Sequence, residues 1–94
     1  MTDARLPAGW NLTEIRKVSG DEEALALSPD RRVTWSAFSG PDEEVDPEIV
    51  LAFHDLCLVK PVDDDQWYMG DLKQDGSVLC WSAYDGLYEA LRGL

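Results

Sequence analysis

The apolar positions along the chain fall into short segments separated by turn-forming residues. Trp10, Leu12, Ile15 and Val18 mark a stretch over 10–18 whose β-branched content reads as a first strand, closed by a turn at Ser19-Gly20-Asp21-Glu22. Ala24-Leu25-Ala26-Leu27 is a short apolar run. Pro29 ends it, because proline lacks an N–H and restricts the residue before it. Val33-Thr34-Trp35-Ser36-Ala37 alternates as a half-buried strand does, with Val33, Trp35 and Ala37 on one side and Thr34 and Ser36 on the other. Residues 40–45 read as an acidic loop.

The next segment predicts a helix. Asp46 suits the N-cap, Pro47 the first helical position and Glu48 the positive end of the helix dipole. Ile49, Val50, Phe53, Leu56 and Cys57 follow at helical spacing, and Lys60-Pro61 stops the element. The competing reading of Ile49–Phe53, a run of consecutive apolar residues, is a strand. Trp67–Leu72 and Val78–Ala83 predict two strands joined at Asp75-Gly76, where glycine supplies a positive φ at little cost. Leu87–Arg92 predicts a short last helix opened by Asp85-Gly86, with Leu87, Ala90 and Leu91 facing the core and Leu94 as a further candidate.

Trp35-Ser36-Ala37-Phe38-Ser39-Gly40 matches Trp81-Ser82-Ala83-Tyr84-Asp85-Gly86 at an offset of 46 residues. This repeat parses the chain as one strand followed by two strand–strand–helix units. The expected fold is therefore α+β: an antiparallel sheet of about five strands in the order β-ββα-ββα, with two helices on one face. Trp35 and Trp81 are expected on the helix-covered face. The 94 residues suffice for one domain, expected over 10–94 after a flexible tail at 1–9.

Charge sharpens the picture. Nineteen acids against eight bases give a net charge of −11. Residues 41–65 hold nine of those acids and a single base. Such a chain repels nucleic-acid phosphates and anionic membrane surfaces, and it permits a basic protein partner. No apolar run reaches the length of a membrane span, and the first residues lack the apolar stretch of a secretory signal, so a cytoplasmic protein is expected.

Candidate chemistry is sparse. His54 and Cys57, three apart on the predicted helix, could face one pocket beside Asp55, but one histidine and two thiols make an incomplete catalytic or zinc set. Cys57 and Cys80 read as buried, reduced thiols. Asp71–Ser82 departs from a calcium loop at Lys73 and at Ser82, where a bidentate Glu is required. Asp63-Asp64-Asp65 lacks any glycine-rich phosphate loop that would pair it with magnesium. No enzyme activity, cofactor or metal is expected.

The Trp67–Leu72 strand, the Asp75-Gly76 turn, Val78-Leu79-Cys80-Trp81 and the C-terminal stretch from Tyr84 to Leu94 resemble the small acidic immunity proteins encoded beside bacterial polymorphic and contact-dependent toxins. The likeness covers the last third of the chain. It implies a cytosolic protein that binds and neutralises one toxin, often a nuclease. Alternatives are a generic adaptor domain and a phage-encoded inhibitor that mimics DNA charge. The expected partner-binding surface comprises Asp42, Glu43, Glu44, Asp46 and Glu48 before the predicted helix, Asp63, Asp64 and Asp65 after it, and Trp67 and Tyr68 as aromatic anchors.

Overall fold

A computed structural model describes residues 6–36, 41–54 and 56–94. Residues 37–40, the last four of the first repeat copy, lie outside the described residues, as do Asp55 and the first five residues of the expected tail. Pro7, within that tail, is buried. In chain order the elements are α1 (Leu12–Ser19), β1 (Leu25–Leu27), β2 (Val33–Trp35), β3 (Glu43–Val45), β4 (Pro47–Ala52), β5 (Leu56–Pro61), β6 (Trp67–Leu72), β7 (Val78–Tyr84) and α2 (Leu87–Arg92).

The first element is a helix, not a strand. The Asn11 side chain accepts from Glu14 N–H at 2.8 Å, and Gly20, at φ +77°, ends the helix in the left-handed conformation. Leu12, Ile15 and Val18 then share one face, and Ile15 is fully buried. Asn11-Leu12-Thr13-Glu14 has the cap-plus-Glu spacing of a helix start, a local signal that outweighs the β-branched content.

The expected central helix is absent. Its residues form β4, a turn and β5, which pair antiparallel from Ala52↔Cys57 to Pro47↔Pro61. Successive side chains enter opposite cores: Ile49, Leu51, Phe53 and Leu58 on one face, Val50, Ala52, Cys57 and Val59 on the other. A strand buried on both faces needs an unbroken apolar run, which also satisfies helical spacing by default.

Among the described residues the seven strands form one sheet in the order β1-β4-β5-β6-β7-β2-β3. All neighbours are antiparallel except β2 and β7, which run parallel with Trp35 opposite Cys80. This corrects the five-stranded antiparallel expectation in strand number, order and direction, and the two helices stand at the two ends of the element order. The repeat is not a structural one. Its two strands lie side by side, one residue out of the sequence offset, and the helix expected after Val45 is β4.

One connection dictates the shape of the sheet. Only Asp46 separates β3 from β4, a reach of about 7 Å between Val45 and Pro47. In a flat sheet those strands would stand five spacings apart, about 24 Å. The sheet therefore curls into a half-barrel that brings β3 back to β4. The inner face of a tight curl has little room, and it holds Val33, Val50, Ala52, Cys57, Val59, Val78 and Cys80. The outer face carries the larger Leu51, Phe53, Leu58, Trp67 and Met69, covered by Ile15 of α1 and by Leu87, Ala90 and Leu91 of α2.

A β-bulge decides where the last tryptophan points. Met69 pairs with Ser82 and Gly70 with Cys80, so Trp81 is the extra residue. The slip reverses the facing of the strand beyond it: Val78 and Cys80 face inward, while Tyr84 joins Trp67 on the helix side. Trp81 itself is 47% exposed. Trp35 packs on the inner cluster, away from the helices. Neither tryptophan is part of the helix-side core.

Candidate functional site: an acidic groove walled by Trp35 and Tyr68

The curl brings together segments that the sequence separates. Trp35 at the end of β2 and Tyr68 near the start of β6 reach across β7, with ring centroids 4.8 Å apart and planes tilted by 44°. Together with Glu43, Glu44, Val45, Asp46, Pro61 and Asp63 they line a groove of ≈ 300 Å³. Asp46 C=O accepts from Val62 N–H at 2.9 Å, which ties the β3–β4 link to the turn after β5. The two acidic clusters expected on either side of a helix thus border one cavity.

The ten expected surface residues have different situations. Asp42, Glu43, Glu44, Asp46, Asp63 and Asp65 are exposed. Glu48 binds Lys60 Nζ at 2.6 Å, so its charge is locally compensated. Glu44 lies 4.0 Å from Arg32, an exposed pair of little energetic weight. Asp64 accepts from Gln66 N–H at 2.9 Å and from the Tyr68 hydroxyl at 3.4 Å. Burial and then the negative charge of Asp64 and Asp63 hold the Tyr68 phenol above its ordinary pKa. Trp67 is 5% exposed and sits in the helix-side core, so it anchors the fold rather than the surface. The second aromatic of the groove is instead Trp35. Its alternation with Val33 signals a shared face, but nothing local says which face the helices cover.

Comparison with family models, with characterised proteins and with solved structures finds no match. The site has to be read from its own chemistry.

The histidine and the thiols occupy separate places. Without a central helix, His54 is an exposed turn residue, whereas Cys57 lies in the inner core. Asp21 accepts from His54 N–H at 2.7 Å and from Glu23 N–H at 2.9 Å, which pins the α1–β1 turn to the β4–β5 turn beside a cleft of ≈ 580 Å³. Ligand-type atoms of Asp21, Glu23 and His54 lie within 4.8 Å of one another there. The hydrogen bonds of the two turns account for that clustering.

Burial pushes the Cys57 thiol up to about 11, with Arg31 pulling weakly the other way. Burial, and then the neighbouring Cys57, push Cys80 up to about 12. A raised folded-state pKa contributes stability below the ordinary value of 9.0, and this is lost as pH climbs through the folded value. The denaturation midpoint is therefore expected to drop between pH ~9 and ~11, and the drop should shrink in a Cys57→Ala/Cys80→Ala variant. Native thiols should also label slowly at pH ~8 and quickly in denaturant. Equal labelling rates in the two states would show that the inner core is open.

Proposed function

We propose that this chain is an inhibitory protein-binding domain, best read as a cytosolic immunity protein that neutralises a cationic toxin by covering its site with an acidic surface. The observation that supports this most is the convergence of Glu43, Glu44, Asp46 and Asp63 around Trp35 and Tyr68 in a single groove. Aromatic walls give a binding centre its contact area, and acids at its edge give speed and partner selection. Nuclease sites suit such a surface, because a pocket built to hold phosphates is itself positive. The sequence resemblance to acidic immunity proteins points the same way, as does a net charge of −11.

The test uses three isosteric changes at exposed positions, Glu43→Gln, Asp46→Asn and Asp63→Asn, against a control carrying Glu22→Gln, Glu23→Gln and Glu89→Gln. Both variants remove three charges. Binding partners are captured from the native host with each protein, and association is then measured against salt. A basic partner that associates at least ~10-fold more slowly with the groove variant, with a flatter salt dependence, is the expected result. Equal loss in both variants would reduce the effect to net charge. A partner that is not basic, or one without toxicity to the host, would replace the inhibitor reading with that of an adaptor.

A further inference from the structure

Resting on that reading, we infer that the groove seats one arginine side chain of the partner, its guanidinium against the Trp35 and Tyr68 rings and its N–H groups directed to Glu43, Asp46 and Asp63. The inference rests on the cavity and on what lines it, rather than on acidity alone. Two aromatic rings tilted at 44° wall a space of ≈ 300 Å³. That is at the small end of ligand pockets, roughly 300–1,000 Å³, and suits a side chain rather than a folded element. Aromatic faces are electron-rich and attract cations. The carboxylates come from two separate stretches of backbone: Glu43 of β3 and Asp46 of the β3–β4 link from one, Asp63 in the turn after β5 from the other.

Two of the neighbouring acids are already engaged. Glu48 holds Lys60 and Asp64 holds the Tyr68 hydroxyl, whereas Glu44 has only a weak, exposed pairing with Arg32. Among the described residues no ion pair is formed by Glu43, Asp46 or Asp63. An apolar side chain seated here would strip water from those carboxylates and return nothing. An anion would be repelled by both the acids and the ring faces.

Arginine fits better than lysine for two reasons. A guanidinium is planar and weakly hydrated, so it stacks on rings at small desolvation cost. Its five fixed donors can also serve carboxylates that diverge around a rim, whereas an ammonium acts as a compact, strongly hydrated point charge.

The experiment titrates the intact chain with acetyl-Gly-Arg-Gly-amide, and with the lysine and citrulline versions of the same peptide. Trp35 is followed through its indole N–H resonance, assigned with Trp35→Phe. The arginine peptide is expected to shift that resonance saturably, with a Kd on the order of 1 mM. Lysine should bind several-fold more weakly, and citrulline, which keeps the shape without the charge, should give no saturable shift. The Glu43→Gln/Asp46→Asn/Asp63→Asn variant should weaken the arginine peptide about tenfold or more, while Glu22→Gln/Glu23→Gln/Glu89→Gln should not. The Tyr68 phenol offers a second readout, since a bound guanidinium stabilises the phenolate and should lower its raised pKa.

An unchanged Trp35 resonance, or equal shifts from arginine and citrulline, overturns the inference. Lysine binding as tightly as arginine overturns the guanidinium assignment. The two readings also fail separately. An arginine peptide that seats at Trp35 in a protein without a basic partner sinks the inhibitor reading alone. A basic partner that never perturbs Trp35 sinks the arginine seat alone.

Discussion

Replacing Gly70 by Ala is expected to cost ~3 kcal/mol or more, a large part of the total stability of a small domain. A Cβ on Gly70 would collide with the Leu79 carbonyl oxygen and come to 2.5 Å from Cys80 Cα. Both obstacles are backbone of the adjoining strand, held by the β6–β7 ladder, so no side-chain rotation relieves the clash. The position is also the pivot of the bulge. If the strand moved to admit the methyl group, Trp81 and Tyr84 would lose their present facing, and Tyr84 would leave the helix-side core. Chemical denaturation followed by tryptophan fluorescence measures the loss, with Leu72→Ala at an exposed position of the same strand as the reference. If Gly70→Ala matched that reference, the two strands could not be paired through this bulge.

The second large effect separates two tryptophans that look alike in the sequence. Trp67→Ala is expected to cost about 3–5 kcal/mol, because its ring lies in the core between the sheet and both helices and leaves a cavity when removed. Trp81→Ala should cost less than about 1 kcal/mol, since nearly half of that residue already faces solvent. Both residues lie on adjoining strands of one sheet, β6 and β7, so the contrast tests burial and not strand propensity. Equal costs would mean that Trp81 is packed and that the register of β7 differs from the one described.

Some elements could be read directly from local chemistry. The strands β6 and β7 form where the sequence predicts them, and between them Asp75-Gly76 forms the expected turn, with Gly76 at φ +90° and Ser77 N–H bound to Asp75 at 3.0 Å. Helix α2 matches Leu87–Arg92 and buries Leu87, Ala90 and Leu91, while Leu94, past its end, stays exposed. Each of these depends on contacts within a few residues. The misread elements show where that stops. Over residues 46–57 a proline after an acid and an apolar run at helical spacing are common to a helix start and to a strand buried on both sides. Only the partner strands distinguish them. At 10–18 the signal was local after all, in the cap of Asn11 and Glu14, and β-branched content hid it.

For the candidate site, the sequence determined the ingredients: an acidic middle quarter, two clusters of carboxylates and nearby aromatics. Their composition and spacing follow from covalent order, and no folding can change them. The tertiary structure decided which of them meet. A single-residue link between β3 and β4 forces the sheet to curl, and the curl carries Trp35 to Tyr68 and Glu43 to Asp63. The register of β6 between its neighbours turns Trp67 into the helix-side core, and Trp81, the extra residue of the bulge, is left half exposed. Hydrophobic periodicity tells a residue that it has a buried side, but which side is inside depends on strand order and register, and these are set by pairings between distant parts of the chain.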